Sequence, residues 1–360
     1  MTVMTVAITG ANGFIGSRLV EMLTTAPSPR TIRVLTRRRS GTQNARVVDL
    51  TDPDSVKAAV LGCEAVIHCA FDFQDMDANL RISSAIASAC AAAGARLVHV
   101  SSAAVYEPFP DGPLDETSGT GRMGSDNAEV KSAIETELLG RAETTGLDVV
   151  IIQPTVVYGP NGRAWTDSPV RELLTGKVVL PDNGDGFCNA VYIDDVCQAV
   201  IAALTAPVSS GERFLISGGH PVTWKAFYSA YQNMLGLNAI TLSAETERVA
   251  PGETPSTGRS APGVLSRIKA TVTKAVGAQT VSKVNMAISF LRCMVLGGKT
   301  HVATGAKLAL FRSRCDVRID KARRLLGYVP AYDLDRGMQA VSPYIQRTYA
   351  QMARLRAKRR

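Results

Sequence analysis

No CxxC pair occurs among the seven cysteines, Cys63, Cys69, Cys90, Cys188, Cys197, Cys293 and Cys315. Their scatter and odd number suggest neither a disulfide framework nor a zinc site, which suits a reducing cytoplasm. Aromatic residues make up only 6% of the chain, and no basic patch interleaved with aromatics accompanies the formal charge of +8. A nucleic-acid partner is therefore not expected. Part of the charge sits in Arg354, Arg356, Lys358, Arg359 and Arg360, which read as a solvated tail. Long apolar runs are also missing: Met286 to Leu296 is too short to span a bilayer and contains Arg292. The amino-terminal residues run straight into an apolar strand, Val3 to Thr9, with no room for a cleavable signal.

What the chain has is Ala and Val in short runs. With 360 residues, 46% hydrophobic and 20% charged, it has the material for a large core and an appended smaller lobe. In the first half, apolar runs at Val3–Ile8, Ile32–Leu35, Ala65–Cys69, Arg96–Val100 and Val149–Gln153 alternate with helical patterns at Gly16–Leu23, Ser55–Val60 and Leu80–Ala93. Strands buried on both faces read this way, because crossover helices cover a parallel sheet from either side. The expected fold is α/β, a doubly wound parallel Rossmann sheet with a smaller C-terminal substrate lobe. Residues 1–157 plus about 189–217 form the dinucleotide-binding domain in this reading. About 158–188 plus 218–335 form the lobe, and 336–360 a C-terminal helix and basic tail. After Gln153 the chain is punctuated by Pro and Gly, then offers a helix at Asp194–Leu204 and a strand at Arg213–Ile216. About Glu245 to Ala261 reads as a linker. Val264, Ile268, Val272 and Val276 beside Arg267, Lys269 and Lys274 give an amphipathic basic helix, which either packs on the lobe or rests on a membrane surface.

Thr9-Gly10-Ala11-Asn12-Gly13-Phe14-Ile15-Gly16 follows a strand and opens a helix. In that context Gly10 permits the tight turn, Gly13 lets backbone approach a pyrophosphate, and Gly16 allows close helix–strand packing. At the end of the second strand, where a carboxylate would bond the adenosine ribose of NAD, stands Thr36-Arg37-Arg38-Arg39. Arginine suits a 2′-phosphate, so NADP is favoured over NAD, with Arg37 the first candidate and Arg38 the second; a solvated basic turn is the plain alternative. Asp49 and Leu50, after the third strand, either place a carboxylate by the adenine amino group or open the turn into Thr51-Asp52-Pro53.

With these residues in place, the sequence resembles the extended short-chain dehydrogenase/reductase family of NAD(P)-dependent epimerases, dehydratases and reductases. The matching motifs are Thr9 to Gly16, Val66-Ile67-His68-Cys69-Ala70, and His99-Val100-Ser101-Ser102-Ala103-Ala104-Val105-Tyr106. They continue with Gln153-Pro154-Thr155-Val156-Val157-Tyr158-Gly159-Pro160, Asp194-Asp195-Val196 and Leu326-Gly327-Tyr328-Val329-Pro330. The resemblance implies cofactor contacts at Gly10, Asn12, Gly13, Phe14, Ile15, Gly16, Ala70, Lys131 and Pro154. It makes Ser102 the hydroxyl that bonds the substrate oxygen, and Lys131 the lysine of a Tyr-x-x-x-Lys pair that holds the nicotinamide ribose and lowers the Tyr pKa. Asn127 stands where that tyrosine should be, and no tyrosine occurs from Glu107 to Lys131. An amide does not titrate, and losing such a group costs about 100- to 10,000-fold in rate. Asp126, Asp111, Asp115 and Glu116 are the nearest titratable substitutes, each also readable as a solvated loop carboxylate. Tyr106 and Tyr158 read as packing residues and His68 as structural.

The resemblance implies hydride transfer between a substrate carbon and nicotinamide, on a carbonyl or secondary alcohol of a small molecule such as a nucleotide sugar. The alternative is a non-catalytic NADP-binding protein that has lost its tyrosine. Arg163, Arg171 and Asn189 are candidates for phosphate or sugar contacts, or surface residues. A homodimer is admitted. The basic apolar segment between Ala244 and Arg314 leans toward a lipid-like substrate or peripheral membrane contact.

Overall fold

The structure, a computed structural model, describes residues 3–26, 30–37, 44–121, 125–244, 290 and 298–357. Arg38, the linker after Glu245, the basic helix from Val264, the Met286–Leu296 stretch apart from Phe290, and the last three tail residues lie outside the described residues.

Seven strands form one parallel sheet: β1 Met4–Thr9, β2 Arg30–Thr36, β3 Ala45–Val47, β4 Ala65–His68, β5 Arg96–Val100, β6 Val149–Pro154 and β7 Glu212–Ile216. Their spatial order is β7-β6-β5-β4-β1-β2-β3. The strand order reverses between β1 and β4, and the crevice beyond the carboxyl ends of those strands is where this architecture takes ligands. Alternation explains the apolar runs. Along β6, Val150 and Ile152 enter the core on one face, while Val149 and Ile151 enter the core on the other. The first face is covered by α1 Phe14–Thr25 and α6 Ile193–Ala203, through Leu19, Leu23, Val196 and Val200. The second is covered by α2 Pro53–Val60, α3 Met76–Ala93 and α4 Asp126–Thr145, through Val56, Ile86, Ile134 and Leu138.

Beyond β6 the chain builds a lobe around α5 Ser168–Thr175, α7 Trp224–Leu235 and α8 Gly305–Arg312, with a three-stranded sheet ordered Ile240–Leu242, Gly176–Leu180, Lys299–Val302. The sparse aromatics concentrate here: Trp224, Phe227, Tyr228 and Tyr231 of α7 are fully buried, and Trp224 stacks on Phe311 with ring centroids 4.3 Å apart. The chain then runs through α9 Asp320–Leu326 into α10 Leu334–Ala357. That last helix docks on the lobe, since Tyr344 and Tyr349 both donate to Asp167 Oδ1, at 2.8 and 2.7 Å. Arg356 donates to the carbonyls of Leu174 and Gly176 at the end of α5. The reading of Arg356 as part of a solvated tail is thereby corrected: its guanidinium satisfies carbonyls that a helix end leaves without intrahelical partners.

Candidate active site

The glycine loop is tight enough that side chains are excluded. Gly10 has φ +67°, and a Cβ there would lie 2.6 Å from the Ala70 amide nitrogen. A Cβ on Gly16 would lie 2.2 Å from the Gly10 carbonyl oxygen, so the first turn of α1 rests directly on the loop. Gly13 donates to Gly10 at 2.8 Å and occupies the N-cap of α1, where it has no side chain to satisfy the helix's first amides. No acidic residue stands in that turn. Uncapped amides, an unopposed helix dipole and exposed Asn12 and Gly13 make an anion cradle that fits a pyrophosphate. Phe14 and Ile15, half-buried, begin the helix, and α1 is tied down by Arg18, which grips Asp194 of α6 bidentately at 2.7 and 2.8 Å.

At the carboxyl end of β2, Arg37 is 79% exposed and pairs with Asp72 at 3.2 Å. Asp72 follows β4, and sequence reading did not single it out. Asp49 accepts from the Thr51 amide and hydroxyl at 2.9 and 2.7 Å, which holds its carboxyl below the usual range. Asp52 then caps α2 through the Asp54 amide. The turn reading of Asp49 therefore has direct geometric support, and Leu50 is a buried core residue. Ala70 donates its amide to Thr9 Oγ1, which also bonds His68 Nδ1 at 2.7 Å. His68 is enclosed in the sheet against His99, and burial pushes it down to about 3. It stays neutral and structural.

Ser102 follows β5, and its Oγ accepts the Ala104 amide at 3.1 Å, capping the short turn Ala103–Tyr106. That turn packs against α4, where Asn127 and Lys131 are one helical turn apart and so share a face. Lys131 lies deep in the body of the protein but is not sealed from water. Burial lowers its ammonium to about 8, against the opposing pull of Glu135 and Cys69. Its Nζ rests 4.5 Å over the Phe71 ring. Asn127 Oδ1 is buried and has no hydrogen-bond partner among the described residues. Below them runs a buried relay: Tyr106 donates to Gln153 Oε1 at 3.0 Å, and Gln153 Nε2 donates to Glu135 at 2.8 Å. Burial raises the Glu135 carboxyl above its ordinary range, while Ser101, Gln153 and Arg213 oppose the shift. Tyr106 is thus held as a packing residue, its phenol pushed up to about 12 by burial. Tyr158 is equally buried and reaches the Asp333 carbonyl.

Two cavities adjoin, sharing Glu107, Phe109, Leu310 and Ser313 in their walls, and Ser102 borders the narrow one. The narrow one, about 100 Å³, is bordered by Ser102, Thr155, Trp165 and Asn189. The wide one, about 530 Å³, lies between the 107–111 loop and α8. Glu107 borders both and accepts from Ser125 Oγ at 3.2 Å, just ahead of α4. Sequence reading passed over Glu107, because its position depends on the loop folding back onto the helix start. Of the proposed acid substitutes, Asp126 is exposed, Asp115 caps Thr117, and Glu116 is buried on the Leu215 amide. Asp111 borders the wide cavity.

Other motif residues act as clamps. Asn189 donates to the Cys315 carbonyl and accepts from the Val317 amide, so its amide is committed to backbone. Arg171 pairs with Asp167 at 4.0 Å, and Arg163 is exposed. Asp195 accepts the Ala331 and Tyr332 amides, fastening the segment that follows Gly327 and Tyr328. Pro154 ends β6 beside Ile216.

A parallel sheet whose strand order reverses at a glycine loop, with residues of a second lobe lining a cavity beyond the carboxyl end of β5, defines a dinucleotide-binding α/β protein. The chain belongs to the NAD dependent epimerase/dehydratase family, whose model matches residues 6–217. It is 27% identical over 259 residues to a 2-alkyl-3-oxoalkanoate reductase of Shewanella oneidensis, covering 65% of this chain and 67% of that one. Its fold is similar to that of UDP-glucose 4-epimerase from Thermotoga maritima, solved with UDP-glucose (TM-score 0.67, 18% identity, 96% and 99% of the chains covered). It is also similar to RMD from Pseudomonas aeruginosa, solved with NADPH (TM-score 0.64, 16% identity, 95% and 99% covered). No helix among the described residues is long and apolar enough to cross a membrane.

Proposed function

We propose that the protein is an NADP-dependent oxidoreductase that acts on a carbonyl or secondary alcohol of a small molecule. The observation carrying this reading is the placement of Ser102 on the wall of a cavity beside α4, which presents Lys131 with its ammonium over the Phe71 ring. Gly10, Asn12, Gly13, Phe14, Ile15 and Gly16 would cradle the pyrophosphate, with Ala70 and Pro154 along the strand ends. Arg37, joined by Arg38, would take the 2′-phosphate. In this reading residues 1–157 and about 189–217 carry the nucleotide and the remainder up to 335 the substrate. Bound there, the nicotinamide supplies hydride chemistry.

The chain's own groups have separate tasks. Ser102 donates its hydroxyl to the substrate oxygen. Lys131 leaves Phe71 to donate to the ribose hydroxyls and adds positive charge where negative charge develops on oxygen. Asn127 occupies the place of the family's proton-transferring tyrosine and supplies only a neutral amide. NADPH consumption with a panel of carbonyl compounds, alongside mass-spectrometric identification of what co-purifies, tests the reading. Tight NADPH binding without consumption would favour a second reading, a cofactor-binding protein without redox turnover, for which Asn127 Oδ1, without a hydrogen-bond partner among the described residues, is the specific support.

A further inference from the structure

The wide cavity has polar side chains in its wall, and most of them already have partners. Glu107 is bonded to Ser125, Asp111 accepts the Arg314 amide at 2.9 Å, and Ser313 Oγ accepts the Cys315 amide at 3.1 Å. Arg312 forms an ion pair with Asp182 at 3.5 Å, although its buried Nε makes no hydrogen bond among the described residues. The rest of the lining is apolar, chiefly Pro108, Phe109, Ala306, Ala309 and Leu310.

The diphosphate of a nucleotide sugar brings two negative charges. Among the described residues it would meet two carboxylates and one guanidinium that already has an acidic partner. The amino end of α8 contributes about half a charge at Gly305, which does not offset them. A volume of about 530 Å³ falls within the range of small-molecule sites. Its apolar wall favours a ligand that removes apolar surface from water there.

Taking the oxidoreductase reading as its premise, we infer that the substrate is a phosphate-free carbonyl or alcohol compound. Its reacting oxygen sits in the narrow cavity at Ser102, and its bulky neutral, apolar end fills the wide cavity under α8. A nucleotide sugar is not the substrate.

The chain has two tryptophans, and Trp165 borders the narrow cavity with its ring 5.3 Å from that of Trp224. Intrinsic fluorescence therefore reports occupancy directly. Titrations with ethyl 3-oxooctanoate, UDP-glucose and UDP, each with and without NADP+, should show saturable binding of the ester at least tenfold tighter than that of either nucleotide. Ala309→Arg, on an exposed helix position facing the cavity, should weaken the ester at least tenfold in a variant that melts like wild type. UDP-glucose binding as tight as the ester, no ester binding at all, or ester binding unmoved by Ala309→Arg in the folded variant would each overturn the inference. The ester titration is read both with and without NADP+, and failure to bind in both arms is decisive. A separate NADPH titration reports on the oxidoreductase reading alone.

Discussion

Arg37 at the end of β2 donates through Nη1 to Asp72 Oδ2 after β4, at 3.2 Å, bridging the two strands that flank β1 on either side. The guanidinium is largely exposed and its partner half-buried, so the pair holds it with little energy, well under what a phosphate offers. Arg37→Ala should weaken NADPH by about 1.5–3 kcal/mol, roughly 10- to 150-fold, and leave NADH nearly unchanged. Asp72→Asn frees the guanidinium and should tighten NADPH a few-fold. Equal losses for both nucleotides in the Arg37 variant would remove the 2′-phosphate assignment.

Gly13→Val should abolish nucleotide binding in a protein that keeps its circular dichroism spectrum, because the added side chain would occupy the pyrophosphate cradle. Gly16→Ala should behave differently. Its Cβ would meet the Gly10 carbonyl at 2.2 Å, so the loop itself must shift and stability should fall along with binding. Normal nucleotide affinity in folded Gly13→Val would refute the cradle.

The lowered pKa of Lys131, about 8, has a calculable sign. Below pH 8 the buried ammonium is charged in both folded and unfolded chains, and its desolvation weakens the fold. Between about 8 and the ordinary lysine value the folded form sheds the proton while the unfolded form keeps it, so stability rises with pH in that window. Lys131→Met should stabilise the protein at pH 7 by about 2 kcal/mol and flatten that rise, as followed by urea unfolding across pH. NADPH affinity should fall above pH 8 in wild type, since the ribose contact needs the ammonium. A pH-independent affinity would contradict that role.

Asn127→Tyr should place a phenol beside Lys131 and Ser102 and increase turnover of any weakly processed carbonyl substrate, about 100-fold or more, with one new ionisation in its pH profile. A variant slower than an already active wild type would show that another group moves the proton. Glu107→Gln, bordering both cavities, would then be the next substitution to assay.

Much of this was legible in the sequence, for physical reasons. Strands such as Val149–Pro154 are buried on both faces and announce themselves as apolar runs, and the glycine loop has a spacing only that geometry requires. The lobe was not legible in the same way. Its sheet joins Gly176–Leu180, Ile240–Leu242 and Lys299–Val302, three short strands too far apart in the chain to signal one another. Asn189 illustrates the limit at the site: its side-chain type suggested sugar hydroxyls, and backbone partners more than a hundred residues away claim it instead. Glu107 and Asp72 were passed over for the converse reason, since their neighbours arrive only through loop closure.

The return of the chain to pair β7 with β6 sets an order on biosynthesis. Val149–Pro154 leaves the ribosome long before Glu212–Ile216, and until the later strand arrives, β6 is the open edge of a sheet whose residues are apolar on both faces. The nascent protein therefore carries a sticky template through synthesis of more than fifty intervening residues, the interval in which a chaperone is most needed. Substitutions that slow completion of β7 should lower soluble yield without altering the finished protein's nucleotide affinity.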